Sequence, residues 1–184
     1  MSTKVVEAVL SGGEVSVPSR EDADTLFQNG YGTMREGGGS TLSRCEALYL
    51  VAESRIRVVG TAGSGDMSFR LLLKQLGADD ADVWTKYLLF RDLRSRGYVV
   101  KDGFGLGIDF RMYERGTYRR RAAKYVVYAV CEGCPVSAGR LDEVLRLVHA
   151  MKKELLVAAV DMRGEIVYYS LSRFNLELRP AEGG

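Results

Sequence analysis

Between residues 138 and 160 the hydrophobic period changes once, from that of a helix to that of a buried strand. Leu141, Val144, Leu145, Val148 and Met151 recur on one helical face behind Ser137 as N-cap, and Leu155 to Val160 then runs apolar without a break. An amphipathic stripe that ends just before a buried strand predicts a helix laid on a sheet, and so an α/β architecture.

The flanking segments extend that reading. Tyr98 to Lys101, Ile108 to Tyr113 and Lys124 to Val130 read as strands before the helix, with a turn at Asp102-Gly103, and Ile166 to Leu171 follows as a last strand. The first third predicts a hairpin of Val5 to Leu10 and Val15 to Val17, then a short helix ending at Asn29-Gly30. Gly30 to Ser40, with five glycines, reads as a flexible loop. Ser43-x-x-Glu46 is a capping box that opens a second helix, and Ile56 to Val59 is a strand. Asp66 is expected to cap a helix through Leu76, and Asp79-Asp80 to begin a longer one through Arg96. The link from Gly77 to Asp80 divides the chain into 1–78 and 79–184. The expected fold is α/β (α+β): a small N-terminal α/β domain followed by a C-terminal mixed-sheet α/β domain.

With 184 residues, 46% of them hydrophobic, the chain can build a substantial core. No apolar run nears the roughly 18 residues of a membrane helix, and the first residues lack a signal-peptide core, so the cytoplasm is expected. Charge is uneven: residues 1–80 hold 8 basic and 11 acidic side chains, and residues 81–184 hold 18 and 13. A polyanion partner therefore fits the C-terminal half better, although a salt-bridged surface explains the same balance.

Cys45 reads as a core residue. Cys131 and Cys134 form a lone Cys-x-x-Cys with no second pair and no suitably spaced His, which argues against zinc and leaves a local or intersubunit disulfide or free thiols. The glycine clusters at 30–40, 60–65 and 103–107 lack the Lys-Ser/Thr ending of a phosphate loop or the helix that a dinucleotide fingerprint needs. No metal and no cofactor are expected.

Candidate chemistry gathers in the second half. Arg146, the single histidine His149, and Lys153 follow i, i+3, i+7, so one helical face carries them; a solvated basic face accounts for the same spacing. Lys153 stands where the helix runs into the buried strand, and Tyr113 ends another predicted strand. Cleavage of RNA through a 2',3'-cyclic phosphate needs a base for the 2'-hydroxyl, an acid for the departing 5'-oxygen and positive charge for the phosphate. Tyrosine, histidine and lysine can supply all three. Here the first and third are at hand.

The segment Tyr98-Val-Val-Lys-Asp-Gly-Phe-Gly-Leu-Gly-Ile-Asp-Phe-Arg-Met-Tyr113, together with Lys124-Tyr-Val-Val and Arg146 to Asp161, closely resembles the archaeal tRNA-splicing endonuclease family. Glu46-Ala-Leu-Tyr-Leu50 extends the resemblance to the N-terminal domain. The resemblance implies a protein that acts on precursor tRNA at a bulge-helix-bulge, with a Tyr, His, Lys triad and no metal. By the motif Tyr113 matches the tyrosine and Lys153 the lysine, while Arg146 resembles an arginine that stacks on a bulged base. The family histidine lies three residues before the Tyr of Lys124-Tyr-Val-Val, and that position here is Ala122.

What the resemblance then implies is a non-catalytic, structural subunit that pairs with a catalytic endonuclease subunit in an α2β2 assembly. Its expected subunit interface comprises Glu132, in the loop 131–141, and the final strand residues Val167, Tyr168, Tyr169, Ser170 and Leu171. Arg115, Arg119, Arg120 and Arg121 are expected RNA contacts. Two alternatives stay open: a competent nuclease subunit that uses Tyr113 and Lys153 with another acid, and a general RNA-binding module built on those arginines and Tyr118.

Overall fold

A computed structural model describes residues 4–60, 65–105 and 107–173 as two five-stranded sheets and five helices. The first sheet has the order β3-β4-β2-β1-β5, from β1 (Val6–Ser11), β2 (Glu14–Val17), β3 (Thr33–Met34), β4 (Ser40–Leu42) and β5 (Ile56–Gly60). Only β1 and β5 run parallel, across α1 (Arg20–Gln28) and α2 (Arg44–Ala52). The second sheet has the order β10-β9-β8-β7-β6, from β6 (Val99–Gly105), β7 (Ile108–Tyr113), β8 (Tyr125–Cys131), β9 (Glu154–Val160) and β10 (Ile166–Leu171). Its one parallel pair, β8 and β9, is joined through α5 (Ala138–Ala150), as the change of hydrophobic period demands. The mixed α/β class thus holds. Among the described residues no helix is long and apolar enough to cross a membrane.

Helices α3 (Phe69–Leu76) and α4 (Val83–Ser95) follow β5 in the chain, with α3 packed on α2 and α4, and α4 set between α2 and the second sheet. Helix α4 buries Val83, Tyr87, Leu88, Leu89, Phe90 and Leu93, a set too wide for a one-sided helix, because α2 covers one side and the second sheet the other. One core therefore runs from Val6 through Phe90 and Phe110 to Val160, and a smaller one under α5 joins Ile108, Val126, Val144, Val148 and Leu155. Fully burying a Phe or Leu contributes about 1.5–3 kcal/mol, and the buried Phe90 meets Tyr49 of α2 and Phe110 of β7, so it joins the two sides of the larger core.

Several boundaries differ from expectation. Ser68, not Asp66, caps α3 by accepting the Leu71 N–H, because the chain stays extended through Asp66, which bridges to Val59. Helix α4 begins at Val83 rather than at Asp79-Asp80: the Asp80 carboxylate accepts the Asp82 N–H and an ammonium proton of Lys86, which holds a turn ahead of the helix. Strand β6 continues through Asp102-Gly103, so the reversal falls after Gly105. A Cβ at Gly103 would stand 1.9 Å from the Ile108 carbonyl oxygen, and this close approach, not a turn, is why a glycine sits there. The supposed flexible loop 30–40 instead contains β3 and the start of β4. Cys131 and Cys134 form a disulfide, with Cα atoms 5.5 Å apart.

Asp109 of β7 is held under α4, where its carboxylate accepts the Ala129 N–H at 2.7 Å and lies 3.9 Å from Lys86. Burial raises its pKa above 3.8, and the Ala129 bond and Lys86 only partly oppose that. A raised carboxyl binds its proton more tightly in the folded state, so its contribution to stability is full below 3.8 and is lost as pH climbs through the folded value. Asp109→Asn is therefore expected to stabilise the protein at pH 7 by on the order of 1 kcal/mol and to lose that advantage near pH 3.5. Urea unfolding at the two pH values measures it; an equal effect at both would show that charge is not the cause.

Candidate active site

Strand register gathers the site at one end of the second sheet. Met112 pairs with Tyr125 and Tyr125 with Glu154, so Tyr113 ends β7 beside the head of β8, and Lys153 immediately precedes β9. Two inter-strand gaps make the separation of their backbones roughly 10 Å. Met112 packs into the core around α4, and Leu155 into the core under α5. Side chains alternate along strands, so Tyr113 and Lys153 both fall on the α5 face.

Lys153 is not on the same helical face as Arg146 and His149. Helix α5 ends at Ala150 with Met151 as its C-cap, Lys152 takes a φ of 53°, and the Lys153 N–H folds back to the Val148 carbonyl. That turn throws the Lys153 ammonium across to the segment leading into β8, where it donates to the Ala123 carbonyl. Ala122, next to it, is exposed and offers only a methyl group. His149 stays exposed in the last turn of α5.

The Tyr113 ring meets Tyr118 edge to face, with centroids 5.0 Å apart and planes at 85°. Burial and then the Tyr113 hydroxyl raise the pKa of Tyr118. Behind it the Lys101 ammonium stands 5.8 Å from the Tyr118 ring centroid. Lys101 is buried, and it donates to Glu46 of α2 at 2.7 Å and to the Gly32 carbonyl at 2.8 Å. The other Glu46 oxygen accepts the Gly32 and Ser43 N–H groups. Glu46 is thus both the capping-box partner expected and the anchor of a buried pair linking the two segments.

The arginines divide. Arg115 donates to the Arg96 carbonyl and lies over the Tyr98 ring, and Arg119 lies over Phe27 of α1, so both are engaged within the protein. Arg120 and Arg121 are exposed. Arg146 pairs with Asp142 at 3.1 Å, and Arg173 shares that carboxylate at 3.4 Å. Lys124, at the head of β8, donates to the Tyr125 hydroxyl and lies 3.5 Å from Glu114 and 3.4 Å from Glu154. The Tyr125 bond foremost, and then Glu154, raise its pKa.

Among the interface candidates Val167 (51% exposed) and Tyr169 (56% exposed) face outward on the edge strand β10. Tyr168 turns the other way: its hydroxyl donates to Asp92 at 2.6 Å, and its ring lies under Arg96. Ser170 is exposed, and Leu171 packs on the core under α5. Glu132 is exposed on its loop and accepts the Met162 N–H at 3.2 Å. Among the described residues no group of three or more His, Cys, Asp or Glu side chains converges as a metal-holding set.

Two sheets around a shared helix, with a tyrosine ending β7 and a lysine just before β9 on either side of β8, define a two-sheet α/β protein with a candidate side-chain site. The tRNA intron endonuclease N-terminal domain matches residues 6–73, and the tRNA intron endonuclease catalytic C-terminal domain matches residues 83–168. The chain belongs to the tRNA intron endonuclease family. It is 33% identical over 173 residues to a tRNA-splicing endonuclease of Methanococcus vannielii, covering 94% of this chain and 97% of the relative. A tRNA-splicing endonuclease of Pyrococcus abyssi is 31% identical over 169 residues, with 91% and 96% covered, and one of Methanothermobacter thermautotrophicus is 33% identical over 166 residues, with 89% and 95% covered.

Proposed function

We propose that the chain is the non-catalytic, substrate-positioning subunit of a tRNA-splicing endonuclease, cleaving precursor tRNA at bulge-helix-bulge motifs only in company with a catalytic chain. The observation that carries this is Ala122 at the head of β8, beside a lysine that reaches its neighbour's carbonyl. The leaving 5'-oxygen needs a proton, and the groups around it are poor donors. Lys124 holds its proton more tightly than usual. Arg120 and Arg121 do not give up a proton near neutral pH. Lack of a general acid lowers the rate by about 10²- to 10⁴-fold.

In this reading Tyr113 and Lys153 are remnants of the triad, and Arg146 with Arg120 and Arg121 contacts RNA. Glu132, Val167 and Tyr169 meet the partner in an α2β2 assembly.

The purified chain is expected to leave a bulge-helix-bulge RNA intact and to support its cleavage, without added metal, once mixed with a family chain that bears the histidine. Robust cutting by the chain alone that disappears in Tyr113→Phe would overturn this reading. His149→Ala then tells whether that histidine, four residues before Lys153, is the acid.

A further inference from the structure

The disulfide between Cys131 and Cys134 closes a four-residue turn at the end of β8. Inside the turn the Cys134 N–H donates to the Cys131 carbonyl, and Gly133 takes a φ of 78°. Residues 132 to 135 are all exposed, so little buried surface holds the segment. What fixes it to the sheet is Glu132. Its N–H donates to the Val160 carbonyl at 2.9 Å, and its carboxylate accepts the Met162 N–H from the β9–β10 turn. Glu132 thereby forms one wall of a notch of about 410 Å³ whose other walls include Trp84, Arg91 and Met162. Trp84 is 46% exposed and Met162 94% exposed, so two apolar side chains stand open at its rim among charged neighbours.

We infer that the disulfide is a redox-sensitive clamp: oxidised, it holds Glu132 against the β9–β10 turn; reduced, it releases that loop and weakens subunit association. The second half rests on the proposed subunit role. A thiolate of a small dithiol attacks one sulfur and forms a mixed disulfide, and the second thiol of the reagent displaces it. The reagent leaves as a cyclic disulfide, and Cys131 and Cys134 each gain an electron and a proton to become thiols. Cys134 is exposed, which gives the reagent access. A cross-link across so short a turn lies at the low end of disulfide stabilisation, and its effect falls on the few exposed residues it constrains.

Treatment of the folded chain with dithiothreitol is expected to release two alkylatable thiols, since Cys45 is buried and burial pushes its thiol pKa far up. Hydrogen exchange at the Glu132 and Met162 amides of the chain alone should quicken about tenfold, and association with a histidine-bearing family chain should weaken about tenfold. A Cys131→Ser, Cys134→Ser double variant should match the reduced chain in both measurements and ignore dithiothreitol. Unchanged amide exchange on reduction overturns the clamp. Faster exchange with equal association in both redox states overturns the coupling to assembly, and the absence of association in either state rejects the subunit role while leaving the clamp supported.

Discussion

Replacing Ala122 with histidine is expected to turn the proposed remnant site into a working one. In a complex whose partner has its own triad histidine replaced by alanine, Ala122→His should raise single-turnover cleavage of a bulge-helix-bulge RNA by about 10²- to 10⁴-fold, the range set by one positioned general acid. The substitution is sterically mild because Ala122 is exposed, while Ala123, next in the chain, stays buried and keeps its carbonyl on the Lys153 ammonium. The imidazole would thus stand beside the Lys153 ammonium, the cation proposed to stabilise the phosphate. Its ordinary pKa of about 6.5 predicts a rate that falls above neutrality as the acid form is lost. Adding Tyr113→Phe to this variant should abolish the gain. A complex carrying Ala122→His that cuts no faster, despite normal assembly and RNA binding, would show that the head of β8 does not face the scissile phosphate.

How much of this was legible before the fold was known depends on the range of each interaction. Helix α5 could be read because its period is local and one face is buried, and strand β9 because its unbroken apolar run feeds both cores. Tyr113 and Lys153 are read from a motif, and strand register accounts for their shared place at one end of the second sheet: they lie one position beyond paired residues on strands separated only by β8. The helical face drawn through Arg146, His149 and Lys153 failed because periodicity has no means of registering a left-handed residue at 152. Asp66 and Asp102-Gly103 misled for a similar reason, since a capping residue and a turn residue are both also compatible with extended chain. Longer-range features left no local trace. Tyr168 sits among outward-facing neighbours, yet its hydroxyl reaches Asp92, 76 positions away. Arg115 and Arg119 belong to a basic cluster that composition assigns to RNA, but aromatic rings and a carbonyl within the protein already engage them.

The largest stability effect is expected at the pair that the sequence hid most completely. Lys101 and Glu46 lie 55 positions apart, and Glu46 is only 3% exposed. Every polar atom of the pair that the fold could strand is engaged: one carboxylate oxygen accepts the ammonium, the other accepts the Gly32 and Ser43 N–H groups, and the ammonium also donates to Gly32. Glu46→Ala would leave a buried ammonium, the buried Gly32 amide and the part-buried Ser43 amide short of partners, and removing one member of such a pair costs about 3–5 kcal/mol. At roughly 2–4 °C per kcal/mol for a chain of this size, the melting temperature should fall by about 6–20 °C. Lys101→Met should be comparable, since it strands the carboxylate instead. Replacing both, as Glu46→Leu with Lys101→Met, removes the two desolvated charges together and should recover much of the loss, which gives a double-mutant cycle a coupling of more than about 1 kcal/mol. Losses below about 1 kcal/mol for both single variants would mean that water reaches the pair and that it does not bind the segments together. The same pair bears on the site, because Lys101 stands behind Tyr118 and Tyr118 meets the Tyr113 ring. In the Ala122→His complex, Lys101→Met should therefore reduce kcat through a loosened Tyr113 at temperatures where the fold is still intact, while a distant variant of equal stability such as a core truncation under α1 should not. An N-terminal carboxylate would then be shown to position a phenol at the far sheet, which no element of the C-terminal segment does alone.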